Sequence, residues 1–218
     1  MIDESATEYG ISPLHCLIRT FEFVLHLGNK SDSKKHRVSG EEDKLKVKLK
    51  KEHIQREMRD KLGLVVDQPK VGFGNSINGN LARRAFEKSS EFSEITGISE
   101  ELIIRLRTLL KAVSSGYKID TEKFKAYCDE TFEYIMSEYP WYILPPTVHK
   151  LLIHGFLLAD KFDLPIGCYS EEAQEAQNKV LRNARLNHSA KVSRLNIMKN
   201  QYHYMLIRTD PVISSITF

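Results

Sequence analysis

The sequence has little cysteine and no long apolar run. Its three cysteines, Cys16, Cys128 and Cys168, are widely separated, odd in number and never arranged as CxxC. This usage argues against a disulfide framework and favours a reducing compartment. No apolar run approaches the roughly 20 residues that a membrane-spanning helix needs. The polar, acidic start MIDESATEYG is unlike a signal peptide. We therefore expect a soluble intracellular protein.

The net charge is also small, and the common sequence motifs of nucleotide-binding and nucleophilic enzymes are missing. The formal net charge of the 218 residues is only +3, so any nucleic-acid footprint must come from local clustering of charge. The loop VGFGNSINGN lacks the lysine of the phosphate loop GxxxxGK[ST], which argues against nucleoside triphosphate binding. No Ser/His/Asp or Cys/His arrangement indicates nucleophilic catalysis.

Almost every strong pattern in the chain has the helical period. Apolar residues recur at three- and four-residue spacing, and glycine, asparagine or proline follows most of these stretches. Asp120 and Ser170 predict helix starts, whereas the run 202–207 is a weak strand candidate. The pattern predicts a mainly α fold. The clearest helical segments are residues 14–25, 41–62, 102–113, 124–135, 147–162 and the long stretch that follows Ser170.

Two histidines, His149 and His154, lie in VHKLLIHG. On a continuous α-helix their spacing of five separates them by roughly 140°. That is poorer than the HxxxH spacing, which places two zinc ligands on one face. Tetrahedral zinc also needs two further ligands, for which His15 with Cys16 or Cys168 are possible, although their spacing does not favour them. Spacing alone therefore favours a structural pair, with zinc binding as the alternative.

A lone carboxylate, Glu175, precedes a basic stretch in which residues 176–209 contain no acid. An acid that holds a metal beside cations that hold phosphates is typical of nucleases. One carboxylate makes only part of such a site, and no partner acid is evident. The alternative is a solvated helix start. The residues that share the face of Glu175 on an ideal helix are Asn178, Lys179, Arg182 and Arg185.

The basic stretch predicts one long helix whose cations wind slowly around its axis. Such a strip could follow a phosphate backbone, and the alternative is a solvated basic face. The cations that step by threes are Arg182, Arg185, His188, Lys191 and Arg194.

A second candidate anion site lies at the loop 72–80, which is rich in glycine and asparagine and precedes Arg83 and Arg84. Backbone N–H groups at a helix start, with two arginines in the first turn, favour an anion. Aromatic residues near turns, Tyr169 among them, either stack on unpaired bases or pack against the core.

Three sequence blocks, INGNLARRAF, HKLLIHG and SEEAQEAQNKVLRNAR, occur in this order. In order and spacing they resemble the C-terminal half of the catalytic core of the V(D)J recombination-activating protein and of the related Transib transposases. Upstream, SPLHCLIRTFEFVLHLG and the basic segment ending in KLGLVVDQP resemble the corresponding segments of that family. The resemblance covers roughly residues 11–199, and its specific blocks are residues 78–84 and 149–182.

The resemblance implies a ribonuclease-H-like enzyme that cuts and joins DNA with two aspartates and one glutamate on divalent metal. Glu175 matches that glutamate and implies Mg²⁺ or Mn²⁺, while His149 and His154 match two histidines of a Zn²⁺ site. Tyr169 matches an aromatic position near the active site. The predicted DNA-binding residues include those that share the helix face of Glu175. The full set is Asn78, Asn80, Arg83, Arg84, Tyr169, Asn178, Lys179, Arg182 and Arg185.

The family's catalytic aspartates and zinc-binding cysteines precede these blocks, and this chain begins after them. We therefore expect a fragment or domesticated remnant that binds DNA in the nucleus, forms a homodimer as in the family and does not cut DNA alone. Its fold would be mainly α, combining a helical insertion region with the C-terminal catalytic helix of an RNase H-like transposase core whose β-strands are largely missing.

We divide the chain into four segments. They are 1–40, an N-terminal helix and hinge; 41–145, the insertion-like region; 146–200, the histidine pair and the basic helix; and 201–218, a tail. Two alternative functions remain open. One is a transposon-derived helical protein-interaction module whose basic strip meets an acidic protein surface. The other is a truncated piece of an active metal-dependent transposase or endonuclease.

Overall fold

The computed structural model describes residues 10–67, 69–70 and 74–216. Helices dominate this part of the chain, which confirms the mainly α prediction. The β structure within it is a short antiparallel pair, in which Pro69 faces Asn75 and Lys70 faces Gly74. None of the described helices is both long and apolar enough to span a bilayer.

The contacts divide the chain into two compact units, Met1–Ser170 and Glu171–Phe218. The division falls inside the predicted segment 146–200, and one helix runs across the predicted boundary at residue 200. In the first unit the elements are α1 (Pro13–Asn29), α2 (Glu41–Leu62), β1 (Pro69–Lys70), β2 (Gly74–Asn75), α3 (Gly79–Glu87), α4 (Ser89–Thr96), α5 (Glu100–Val113), α6 (Thr121–Glu138), α7 (Pro146–His149), a π-turn (Lys150–His154), α8 (Gly155–Lys161) and a 3₁₀ turn (Ile166–Tyr169). In the second unit they are α9 (Glu172–Asn187), α10 (Arg194–Thr209) and α11 (Pro211–Ile216).

Helix α1 lies at the centre of the first unit, and it contacts α2, α3, α4, α5 and α7. It begins where the Ser12 hydroxyl accepts a hydrogen bond from the His15 amide, a common way to satisfy a helix start. Its Phe21 ring stacks on Phe92 at 5.5 Å between centroids and meets Phe86 edge-on at 6.4 Å. Aromatic packing around Phe21 therefore joins three helices of the unit, α1, α3 and α4.

The surrounding helices follow the predicted stripes closely. Helix α2 buries Ile54, Met58 and Leu62. Its other faces are exposed to solvent, because its remaining positions are mostly charged. Gly63 ends α2 in the left-handed conformation, with φ of 65°, which glycine adopts without a Cβ clash. The Asp120 side chain accepts a hydrogen bond from the Lys123 amide and starts α6, as predicted.

The helix predicted over residues 147–162 forms, but it is interrupted by a π-turn. Pro146 occupies its first turn, where the missing N–H costs nothing. Residues Lys150–His154 then wind more widely before α8 begins at Gly155. A Cβ on Gly155 would lie 3.2 Å from the Phe124 ring, so glycine lets the helix approach α6 closely.

The second unit corrects three sequence predictions. The weak strand at 202–207 is wrong, because these residues lie inside α10, which starts where the Ser193 hydroxyl accepts from the Asn196 amide. The single long basic helix is also wrong, because α9 ends at Asn187 and a connection precedes α10. The helix expected at Ser170 begins two residues later, with Glu171 at its N-cap position.

Candidate nucleic-acid interface

Helix α9 packs on α10 through a narrow band. Ala184 is fully buried, and the Gln201 amide donates a hydrogen bond to the Leu181 carbonyl at 3.2 Å. The His188 ring stacks on the Tyr204 ring at 5.1 Å with an interplanar angle of 15°. Because this band occupies one side of α9, the opposite side faces solvent.

The opposite side of α9 carries the residues that the sequence groups with Glu175. Glu175 lies in the first turn, where a carboxylate interacts favourably with the helix dipole. Lys179 and Arg185 form no ion pair within the described part of the chain. We call this surface the α9 basic face. Its members are the exposed residues Glu175, Asn178, Lys179, Arg182 and Arg185.

The formal charge of the chain is concentrated in the second unit. Residues 171–218 contain seven Lys and Arg against four Asp and Glu, so this unit alone carries the whole net charge of +3. The four acids lie at residues 171, 172, 175 and 210, which leaves both α9 beyond its first turn and α10 without a carboxylate. A polyanion would therefore meet little repulsion along these helices.

The winding strip of cations does not form. His188 and Lys191 lie in the connection after α9, and Arg194 begins α10. A turn of chain therefore separates the cations of α9 from those of α10. The usable basic surface on α9 runs only from Lys179 to Arg185.

The two arginines after the glycine-rich loop do not converge on one anion. The Arg83 guanidinium donates to the Asn80 side chain at 3.4 Å, whereas that of Arg84 donates to the Leu62 carbonyl at 3.4 Å. The Asn78 side chain accepts from the Leu81 amide and caps α3. Gly72 and Phe73 of the predicted anion loop lie outside the described residues.

The π-turn brings the two histidines together. The ring centroids of His149 and His154 are 5.4 Å apart, with an interplanar angle of 63°. The separation of 140° expected for an α-helix is wrong, because a π-turn closes hydrogen bonds between residues five apart and so places such residues on one side. Both rings are therefore close enough to serve one metal ion.

The fit to metal is partial at both predicted centres. The described residues contain no group of three or more His, Cys, Asp or Glu side chains that could hold a metal ion. His149 and His154 thus fit half of a tetrahedral zinc site. Glu175 fits one ligand of a Mg²⁺ or Mn²⁺ site and does not make such a site with its described neighbours.

The remaining candidates lie in the first unit. Tyr169 is 46% exposed, and its ring packs against Phe162 at 5.2 Å between centroids. Burial raises the pKa of the Cys16 and Cys128 thiols to about 12. Both thiols are buried, and neither belongs to a group of described side chains that could hold a metal ion.

Sequence reasoning missed an exposed apolar stripe on α10. Leu195, Met198, Tyr202 and Leu206 are 62%, 57%, 63% and 49% exposed. Their spacing of three, four and four residues predicts one helix face. This helical spacing is visible in the sequence, but it was overlooked because residues 202–207 were interpreted as a strand.

No protein-family model matches the sequence, and no curated protein is significantly similar to it.

Proposed function

We propose that the chain binds double-stranded DNA through the α9 basic face, as a fragment or domesticated remnant of a Transib-like recombinase. The observation that carries the proposal is an exposed helix surface with three cations and no acid beyond the first turn. A nuclear location and a homodimer, as in the family, belong to the same proposal. The sequence blocks that resemble the recombinase support the assignment of family.

The spacing of the cations suits a phosphate backbone. Lys179, Arg182 and Arg185 are three residues apart, so each step rises about 4.5 Å along the helix. Arginine can donate two parallel hydrogen bonds to one phosphate, while lysine acts as a point charge. Contacts of this kind neutralise phosphates without reading bases, so the affinity would depend strongly on salt and little on sequence.

We do not extend the proposal to strand cleavage by this chain alone. Two-metal hydrolysis needs several carboxylates around two ions about 3.5–4 Å apart. Glu175 has no such set around it within the described residues. We also keep Asn80, Arg83, Arg84 and Tyr169 as predicted DNA contacts, whereas the capping bond of Asn78 gives that side chain a structural role.

The test is duplex binding across a salt series for the wild type and for Lys179→Ala/Arg185→Ala. Loss of two phosphate contacts should flatten the slope of log affinity against log salt by about 1.8, since each contact contributes about 0.9. Duplexes of unrelated sequence should bind alike. A matched control is Lys88→Ala/Lys118→Ala, which removes two exposed lysines from the first unit.

The control should keep the wild-type slope. Equal slopes for the wild type and the α9 variant would exclude the α9 basic face as the DNA-binding surface. An equal loss in the control would show that only the total charge of the chain matters.

The apolar stripe on α10 favours a second candidate, a helical protein-interaction module. A contiguous exposed apolar face on a basic helix is typical of partner-binding helices. The change Met198→Gln/Tyr202→Gln removes the centre of the stripe without altering charge. Unchanged DNA binding together with loss of a protein partner would favour this module over the recombinase remnant.

A further inference from the structure

A cavity of about 110 Å³ lies between α1, α3 and α5 in the first unit. Its floor is made by Leu17, Phe86 and Leu110, which are 6%, 2% and 4% exposed. For scale, an apolar protein cavity of about 150 Å³ binds benzene. The cavity therefore has room for a group close in size to one aromatic ring or a short alkyl chain.

The rim of this cavity is cationic. Arg83, Arg107 and Lys111 line it together with a single carboxylate, Glu87. The Arg107 guanidinium donates to the Phe86 carbonyl at 3.4 Å, which holds its charge at the rim. Neither Arg107 nor Lys111 is in an ion pair within the described part of the chain.

The side chains at the rim favour the anionic end of a ligand. Arg107 and Lys111 both line the cavity, and Glu87 is the one carboxylate among its described lining residues.

We propose that this cavity binds a small amphiphilic anion, in which a carboxylate or phosphate is attached to an aromatic ring or a short alkyl chain. The apolar group would occupy the floor formed by Phe86 and Leu110, and the anionic oxygens would meet Arg107 and Lys111. Ligand sites commonly combine an apolar wall with a few placed charges. The proposal is independent of DNA binding, because no residue of the α9 basic face takes part.

Two sources present the same chemistry. One is a free aromatic or short-chain acid, and the other is the C-terminal residue of a peptide, whose carboxylate lies beside its side chain. Both place an anionic oxygen close to an apolar group. Benzoate and phenyl phosphate represent the first source, and a short peptide ending in phenylalanine represents the second.

The experiment is a titration of the intact chain with these probes, followed by protein NMR chemical shifts. We expect saturable 1:1 binding of benzoate or phenyl phosphate, with shifts centred on Phe86 and Leu110. Benzyl alcohol, which lacks the charge, and inorganic phosphate, which lacks the ring, should each bind at least about tenfold more weakly. Lys111→Gln should weaken binding about fivefold, as expected when one such contact is removed.

The matched control is Lys118→Gln, which removes an exposed lysine that does not line the cavity. It should leave the affinity unchanged, and both variants should fold because both side chains are exposed. Benzyl alcohol binding as tightly as benzoate, an unaltered affinity in Lys111→Gln, or no saturable binding of any probe would overturn the proposal. The peptide is the source if it binds more tightly with a free than with an amidated C-terminus and also more tightly than benzoate. Tighter binding of benzoate than of the peptide assigns the site to small acids.

Discussion

At the scale of single residues, the backbone conformation determines how close the side chains of His149 and His154 lie. Their side chains are adjacent only because the turn between them is wider than an α-helical turn. Two imidazoles provide two of the four ligands that structural zinc requires. Two adjacent imidazoles alone are expected to bind a metal ion only weakly.

We predict that zinc does not stay bound to this chain at stoichiometric level. Two ligands leave the ion largely hydrated, so dialysis should remove it. Metal analysis of zinc-loaded, dialysed protein should give similarly low contents for the wild type and for His149→Ala/His154→Ala. Stoichiometric zinc in the wild type alone would show that further residues complete the site.

Two other histidines should make stability depend on pH. Burial lowers the pKa of His26 and of His36 below the ordinary value of 6.5. The unfolded chain therefore takes up protons first as the pH falls through about 6.5, and it gains stability relative to the folded chain. The contribution of each histidine is complete above this value and is lost progressively below it.

We predict that the thermal midpoint falls between pH 7.5 and pH 5.5, and that His26→Gln/His36→Gln reduces this fall. His36 also accepts a hydrogen bond from the Ile143 amide at 3.2 Å, which protonation would break. The control His53→Gln changes an exposed histidine and should leave the fall unchanged. A double variant with the wild-type dependence on pH would exclude both residues as its source.

At the scale of elements, close approach between helices depends on glycine. A Cβ on Gly28 would lie 2.9 Å from the Thr96 carbonyl oxygen and 3.1 Å from the Thr96 Cβ. The first of these neighbours is backbone, which moves less readily than a side chain. The contact between α1 and α4 therefore leaves no room for a side chain at position 28.

We predict that Gly28→Ala destabilises the chain by about 1–3 kcal/mol, the usual cost of overpacking a well-filled contact. Gly116→Ala is the matched control, because a Cβ there meets nothing within 4 Å. Chemical denaturation of the two variants beside the wild type measures the difference. Equal stability of both variants would show that α1 and α4 can separate without loss.

The sequence predicted elements better than it predicted their ends and interruptions. The period of the apolar residues placed α2, α5 and α6, because each buries one stripe on the shared core. The break after Asn187 was missed because cations continue through it at steps of three residues, so the charge pattern of α9 runs on into α10. The π-turn, which contacts α6, was missed because nothing in the sequence of residues 150–154 distinguishes it from a continuous α-helix.

The candidate site was predictable to the extent that it depends on one helix. Glu175 and Lys179 share a face because they lie in the same element, and helical spacing is enough to derive that. Arg83 and Arg84 were grouped by adjacency alone. Their side chains diverge to partners on different elements, which adjacency cannot reveal.

At the scale of the whole molecule, charge and chemistry are unevenly distributed. The second unit carries the net charge of +3, whereas the first unit holds the large apolar core. The DNA binding that we propose would use this excess of positive charge, and the described residues of the unit contain no group of three or more side chains that could hold a metal ion.

We predict that the purified chain does not nick supercoiled plasmid or form hairpin ends with Mg²⁺ or Mn²⁺. Losing the other metal ligands should remove essentially all of the acceleration. The assay compares the wild type with Glu175→Gln, and both should leave the substrate intact. Cleavage by the wild type that Glu175→Gln abolishes would show that other acids complete the centre, with Asp120, Asp129, Asp160 and Asp163 as the first to test.

The π-turn between α7 and α8 has a genetic consequence. A π-turn is an α-helix that accommodates one additional residue, so deletion of a single codon within residues 150–153 would restore the regular helix. The two imidazoles would then be four positions apart, the HxxxH spacing of a zinc-binding helix, and α8 would keep the same face toward α6 because the turn itself loses the additional residue. A one-codon deletion here would therefore preserve the packing of α8, whereas the same deletion inside the regular helix α6 would rotate every following side chain of α6 by about 100°.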